Sequence, residues 1–305
     1  MLQCGSVFAG YRIERLLGRG GMSEAYLAIR EGQRSTLKLL NEECSADPRL
    51  RARFVAEAEL ASGLDHPNIV SVKAFGDEGG QLWMAMQYVE GYSAARLVAR
   101  GQIPLDPFRA ARIVDSVARG LDYAHSRGIV HRDVKPANIL ISTQATVDGH
   151  EQVMLSDWGI ARLVDDSAPV ARSGSVLASI QYAPPELLRA EPLTTRVDVY
   201  GLGCTVVELL TGATPFPLSN PLAIADAQLH TPPPSVSERR RELPAALDAV
   251  VATALAKDPA DRYSRCVALA DAVMSALAEW PTRTSPFAAR VSDTSGPRFR
   301  WLKRR

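Results

Sequence analysis

The chain is poor in cysteine, histidine and aromatic residues and has no excess of either charge. Its four cysteines, Cys4, Cys44, Cys204 and Cys266, stand far apart, and no pair has the spacing of a metal-ligand pair or a redox motif. Reduced thiols follow as the expectation, and with them a cytoplasmic location. The five histidines show no helical pairing that suggests zinc. With 35 basic residues against 34 acidic ones, the chain has no global field to draw in nucleic acid, so no nucleic-acid partner is expected. No apolar run reaches the roughly 20 residues that span a bilayer. The opening MLQCGSVFAGYR lacks the basic start and apolar stretch of a secretory signal, so no transmembrane or export segment is expected in this chain.

What is present is a packed core: 46% of residues are apolar, and 305 residues suffice for two lobes around a cleft. From Phe8 to Tyr88 the pattern alternates as strands, interrupted by one helix over DPRLRARFVAEAELASGL. In that helix Leu50, Phe54, Ala58 and Ala61 share a face, Asp47 suits the N-cap and Pro48 the first helical position. From Gly91 onward helices dominate, among them the long amphipathic PFRAARIVDSVARGLDYAHSRG and the almost wholly apolar RVDVYGLGCTVVELLTG. The last 25 residues, from Pro281, carry seven basic residues and one acid, and read as a disordered basic tail. Such a tail can touch anionic lipid, which adds peripheral membrane association as a second expectation.

Four stretches carry chemistry. In LGRGGMSEAYLA the glycines Gly18, Gly20 and Gly21 sit in a strand–turn–strand setting, which disfavours a dinucleotide fold but lets backbone N–H groups lie close over phosphates. Lys38 lies inside an apolar strand, a costly place for an unpaired ammonium, and Glu57 on the following helix is its expected partner. In IVHRDVKPANIL, Asp133 can accept a hydroxyl proton, Lys135 can neutralise a moving phosphoryl group, and the Asn138 oxygen can bind magnesium. In VMLSDWGIAR, Asp157 suits a second metal ligand.

The order of glycine loop, strand lysine, helix glutamate, HRDVKPAN, DWG and APPE resembles the eukaryotic-type (Hanks-type) protein kinase family, and GRGGMSEAYLA, HPNIV and SDWGIAR look like its bacterial serine/threonine group. The resemblance covers about residues 8–278. It implies an α+β, protein-kinase-like bilobal fold, with a five-stranded antiparallel β lobe carrying one helix and a larger, mainly α lobe. The expected kinase domain is 8–280, with the small lobe at 8–86, a hinge at 87–91 and the large lobe at 92–280.

The implied activity is transfer of the ATP γ-phosphate to serine or threonine hydroxyls of proteins, with Mg2+ or Mn2+. Carried over by residue, Gly18, Gly20 and Gly21 cover the phosphates. Lys38 holds the α- and β-phosphates and pairs with Glu57. Asp133 is the catalytic base, Lys135 marks serine/threonine choice, and Asn138 and Asp157 bind the metal. Leu17, Ala25, Thr36, the gatekeeper Met86 and the hinge residues Tyr88 and Val89 surround adenine. Asp198 braces the catalytic loop, and Glu186 pairs with Arg262.

The sequence departs from the family at several points. Ser23 replaces the third loop glycine. Ala25 and Thr36 stand where valine and alanine are usual, which implies an adenine slot of altered shape with weaker apolar contact at Ala25. Trp158 replaces a phenylalanine, and the small Ala61 one helical turn beyond Glu57 is expected to leave room for the indole. Ala178-Ser179 replaces a glycine–threonine pair in the substrate-facing loop, and QATVDGHEQ lengthens a hairpin, with Asp148-Gly149 at its tip. Arg132 is the expected receptor of an activating phosphate, with Ser173 first and Ser175 second as the autophosphorylated residue. A homodimer for trans-autophosphorylation belongs to the same expectation. The rival readings are a nucleotide-binding pseudokinase scaffold, which predicts losses at Lys38, Asp133, Asn138 or Asp157, and a small-molecule phosphotransferase, which would lack the YAPPE segment. Neither condition holds.

Overall fold

A computed structural model describes residues 2–20, 23–99, 105–145, 149, 151–158 and 180–278, without the side chains of Arg53, Glu57 and Ala145. The first part of the chain folds as an antiparallel sheet of β1 (Val7–Phe8), β2 (Tyr11–Arg19), β3 (Ser23–Arg30), β4 (Gln33–Leu40), β5 (Val72–Glu78) and β6 (Gln81–Gln87), in the order β1-β2-β3-β4-β6-β5. The sheet therefore has six strands where the sequence reading expects five. The addition is the two-residue β1, paired Val7↔Arg12 and Phe8↔Tyr11, which is too short to show a period.

Two helices, not one, accompany this sheet. α1 (Glu42–Ala46) is capped by Asn41, whose side chain accepts from Cys44 N, and α2 (Pro48–Ser62) follows directly. Asp47 caps α2 as expected, its Oδ1 accepting from Arg49 N and Leu50 N, and Phe54, Ala58 and Ala61 are buried. Strand alternation decides what faces the cleft. In β4, Leu37 and Leu39 enter a small core with Tyr11, Ile13, Tyr26 and Trp83, so Thr36 and Lys38 point the other way.

The second part is mainly helical. After the three-residue β7 (Gly91–Ser93) come α3 (Pro107–His125) and the hairpin of β8 (Ile139–Ala145) and β9 (Glu151–Leu155). Then follow α4 (Pro185–Leu188), α5 (Arg196–Thr211), α6 (Pro221–His230), α7 (Val236–Arg239), α8 (Ala246–Ala254) and α9 (Cys266–Ala278). One large core joins α3, α5, α8 and α9. α5 is buried almost all round, as its apolar composition requires. Gly201 on α5 is needed there, because a Cβ would sit 3.1 Å from both Cβ and O of Val134 in the loop that bears Asp133. The β8–β9 hairpin matches the expected enlargement, with Gly149 at φ +75°, while Asp148 lies outside the described residues.

The two parts are stitched by a parallel bridge, Ile69↔Leu155. Val70 N donates to Leu155 O at 2.9 Å, Leu155 N to Asn68 O at 2.8 Å, and Asn68 Nδ2 to Val153 O at 2.8 Å. β9 leads into Asp157, so this strut sets that aspartate against the sheet. Among the described residues no helix is long and apolar enough to cross a membrane.

Candidate active site

The interface of the two parts is a cleft of about 750 Å³. Its roof comes from β2 to β4: Leu17, Gly18, Gly20, Ala25, Thr36 and Lys38. Register explains the grouping, since Ala25 pairs with Lys38 across β3–β4 and Thr36 with Met86 across β4–β6. Met86, Tyr88 and Val89 form the back edge, and Asp157 closes the far end. Gly21 lies outside the described residues. Val70 and Leu140, which line the cleft with Tyr92 and Ser93, were missed by the sequence reading. Alternation could have found Leu140: Ile139 and Ile141 on β8 are fully buried, so Leu140 faces the opposite side.

At the inner end Lys38 Nζ donates to Asp157 Oδ1 at 2.7 Å. The expected Lys38–Glu57 pair cannot be placed beside it, because the Glu57 side chain lies outside the described residues. Burial alone raises the Asp157 carboxyl pKa, but the charge and hydrogen bond of Lys38, helped by His131 and Lys135, prevail and hold it below its usual value. Asp157 therefore stays ionised. Its backbone is left-handed, at φ +63°, an uncommon state for a residue with a side chain.

Below it lies the loop 129–140. Asp133 is buried, and its Oδ2 accepts from Lys135 Nζ at 2.7 Å and Asn138 Nδ2 at 3.0 Å. Asn138 Nδ2 also donates to Asp133 O at 2.8 Å. Among the described residues the side-chain contacts of Asp133 gather on Oδ2, which leaves Oδ1 able to accept a further hydrogen bond. Asn138 uses its amide nitrogen on Asp133, which leaves its carbonyl oxygen to a cation. One amide oxygen and one carboxylate are hard donors of the kind Mg2+ or Mn2+ takes, so this pair fits such an ion.

The loop is held from beneath by Asp198 of α5, which is fully buried. Its carboxylate accepts from His131 N at 2.8 Å, Arg132 N at 2.7 Å and His125 Nε2 at 2.7 Å. Burial raises the Asp198 pKa, and the hydrogen bonds from His125 and from the backbone N–H of His131 outweigh it, so the group is held ionised. Arg132 has φ +68°, and the grip of Asp198 on its N–H holds that turn. His131 donates through Nε2 to Ser156 O at 2.9 Å and accepts at Nδ1 from Asp133 N at 3.2 Å, tying the loop to the segment carrying Asp157.

Farther out, the expected Glu186–Arg262 pair is bidentate at 2.7 and 2.8 Å and buried. Trp158 is buried and packs its ring edge-to-face on His131, with centroids 4.8 Å apart. Its indole N–H has no hydrogen-bond partner among the described residues. Trp158 and Ala61 line one cavity of about 90 Å³, where the expected fit between indole and alanine would be made. Ser173, Ser175, Ala178, Ser179 and the tail 281–305 lie outside the described residues.

A strand lysine paired to an aspartate, facing a buried aspartate–lysine–asparagine set across a cleft between a small sheet and a helical body, defines the protein kinase fold. The model of the protein kinase domain matches residues 11–275. The chain is 48% identical over 280 residues to the serine/threonine-protein kinase PknJ of Mycobacterium tuberculosis, covering 90% of this chain and 47% of that protein. It is 44% identical to the serine/threonine-protein kinase PknF of the same organism, over 88% of this chain and 56% of that one. Among solved structures, the M. tuberculosis PknI kinase domain superposes with a TM-score of 0.73 at 37% identity, covering 91% of this chain and 100% of that domain. The chain belongs to the protein kinase family, in its bacterial serine/threonine branch. It spans about half the length of the curated relatives it matches, 47% of PknJ and 56% of PknF.

Proposed function

We propose that this chain is a protein serine/threonine kinase that transfers the γ-phosphate of ATP to serine or threonine hydroxyls of protein substrates. The observation that carries the proposal is the geometry around Asp133: a buried carboxylate with one oxygen engaged by Lys135 and Asn138, the other left for a hydroxyl, on a loop fixed by Asp198. In this reading the cleft roof, from Leu17 to Thr36, covers adenine and phosphates, and the backbone at Tyr88 and Val89 meets the adenine edge.

Lys38 fixes the α- and β-phosphates with Glu57 behind it, and Asp157 and Asn138 would hold Mg2+ or Mn2+. That ion, when bound, would supply positive charge to offset the charge on the phosphates during transfer. Asp133 orients the hydroxyl and takes its proton, and Lys135 lies beside the same carboxylate, where the transferred group arrives. Little covalent work is asked of the protein; positioning and charge carry the rate.

The proposed domain is 8–280, split at a hinge of 87–91, with 281–305 as a basic tail. Arg132 is exposed next to Asp133 and would receive a phosphate on Ser173 or Ser175, installed in trans within a homodimer. Four free thiols, three of them buried, suit the cytoplasm, with the tail as a peripheral membrane contact. No lesion of the kind a pseudokinase scaffold needs is present at Lys38, Asp133, Asn138 or Asp157.

The test is transfer of label from γ-labelled ATP to myelin basic protein. The native chain labels it, and Asp133→Asn lowers the rate by about 10² to 10⁴. Equal labelling by both would refute the role of Asp133, and none by either would favour the scaffold. Mass spectrometry of active enzyme with Ser173 and Ser175 both unmodified would refute the regulatory part.

A further inference from the structure

The sequence offers no zinc pattern, because the donors that meet in space lie far apart in the chain. Asp122 and His125 stand one turn apart near the end of α3, and Cys266 is the first residue of α9. One carboxylate oxygen of Asp122, one ring nitrogen of His125 and Sγ of Cys266 all lie within 4.8 Å of one another. Donors on a tetrahedral zinc ion stand about 3.5 Å apart, given metal–ligand bonds of about 2.0–2.3 Å. Small side-chain rotations would close the difference.

The state of His125 is an independent sign. Its Nε2 lies 2.7 Å from Asp198 Oδ2, a carboxylate that also accepts from the backbone N–H groups of His131 and Arg132, so Nε2 donates to it. That leaves Nδ1 facing Asp122 Oδ1 at 3.8 Å, too far for a hydrogen bond, on a side chain only 9% exposed. A buried imidazole whose one nitrogen is fixed by a carboxylate and whose other lies beside a second carboxylate has the carboxylate–histidine half of a carboxylate–histidine–metal arrangement.

Asp122 is already employed. It accepts from Cys266 N at 2.9 Å, Val267 N at 3.2 Å and Arg265 Nε at 3.2 Å, and so caps α9 from across the interface. The Cys266 thiol also hydrogen-bonds this carboxylate, and loss of its proton on metal binding would free one of the about four acceptor positions for the metal. Asp122 and His125 keep slight exposure, which gives an ion a way in and a water the fourth ligand position.

We propose that Asp122, His125 Nδ1 and Cys266 Sγ form a Zn2+ site that clamps α3 to α9 beneath the catalytic loop. Binding displaces the thiol proton of Cys266 to solvent and forms three metal–ligand bonds with no change of oxidation state. The Asp198 carboxylate that fixes His125 also holds His131 N and Arg132 N, so the clamp lies two hydrogen bonds, through Asp198, from the loop that bears Asp133.

The experiment uses the full chain freed of metal, with Co2+ as a spectroscopic probe for Zn2+. One equivalent of Co2+ is expected to give a cobalt–thiolate charge-transfer band that Zn2+ abolishes by displacement. Cys266→Ser removes the band and Cys4→Ser keeps it. Asp122→Asn, which retains an acceptor for the α9 amides, weakens Co2+ binding by at least about tenfold, the scale on which site residues tune metal affinity. Zn2+ raises the Tm of the native chain and not of Asp122→Asn, a readout that survives if Cys266→Ser folds poorly. No thiolate band in the native chain, or a band that persists in a folded Cys266→Ser variant, or one that disappears in Cys4→Ser, overturns the proposal.

Discussion

The floor of the cleft and its inner wall are built on different principles. In the floor every polar group that matters is engaged more than once. Asp198 accepts three hydrogen bonds, and Arg262 holds Glu186 through both terminal nitrogens, donates to Ala256 O at 2.8 Å and lies over the Tyr200 ring. At the inner wall Trp158 is buried with its N–H unbonded among the described residues, beside a small cavity and an alanine. The loop that performs chemistry is held by directional bonds with few alternatives. Among the described residues, the contact between α2 and the segment of Asp157 is made at Trp158 by shape, which is the weaker constraint and the easier to shift.

The largest expected effect tests the floor. Arg262→Ala leaves the Glu186 carboxylate buried without a partner, and the unfolding free energy should fall by about 3–5 kcal/mol in chemical denaturation. The double variant Arg262→Met with Glu186→Leu removes both charges and should recover most of that loss. A single-variant loss below about 1 kcal/mol, the scale of an exposed pair, would remove the distinction between floor and wall.

Next in size is a cycle across the wall. Trp158→Phe removes the unbonded N–H but enlarges the cavity, and Ala61→Leu adds bulk where the indole lies. If the two side chains share one volume, the double variant should be more stable than the sum of the singles by about 1 kcal/mol or more. Strict additivity in thermal or chemical unfolding would mean that Ala61 does not accommodate Trp158.

Where the floor and wall meet, the Lys38–Asp157 pair gives a pH signature. Asp157 has a depressed pKa in the folded state, so its contribution is fully present above the unfolded value of about 3.9 and is lost as pH falls through the folded value. Lys38→Met should therefore reduce stability by a constant amount from neutral pH to about pH 5, and the gap to the native chain should narrow below about pH 4. A gap that widened on acidification would mean that Lys38 does not stabilise the ionised carboxylate.

The same contrast explains what could be read in advance. Asp133, Lys135 and Asn138 stand within a few positions of one another because one loop must present them together, and Asp47 announces α2 by the ordinary rule of capping. Asp198 and the Glu186–Arg262 pair were accessible only through likeness to a family, since nothing local to Asp198 says that it meets His131 N. Lys38 meeting Asp157, 119 positions away, is a fact of folding rather than of pattern. The small elements escaped for another reason. Two residues in β1 and five in α1 are too few for periodicity to speak. Val70 escaped because an apolar residue lining a cleft looks like one lining a core, whereas Leu140 was within reach of strand alternation. The Asp122–His125–Cys266 cluster combines both difficulties, a long separation and residue types with ordinary local roles.

The smallest expected effect concerns the roof, where residue size differs from the family pattern without any polar group being lost. Ala25 lies on β3 opposite Lys38 and lines the cleft, and Thr36 lines the same space. Ala25→Val adds two methyl groups over the proposed adenine position. At about 0.8 kcal/mol per buried carbon group, with only part of that area covered, the gain is about 1 kcal/mol, or roughly fivefold in affinity. Because adenine is bound alike in ground and transition states, KM for ATP should fall by that factor with kcat nearly unchanged. A fall in kcat instead would place Ala25 in the alignment of the phosphates, and no change in either would mean that adenine does not lie beneath β3.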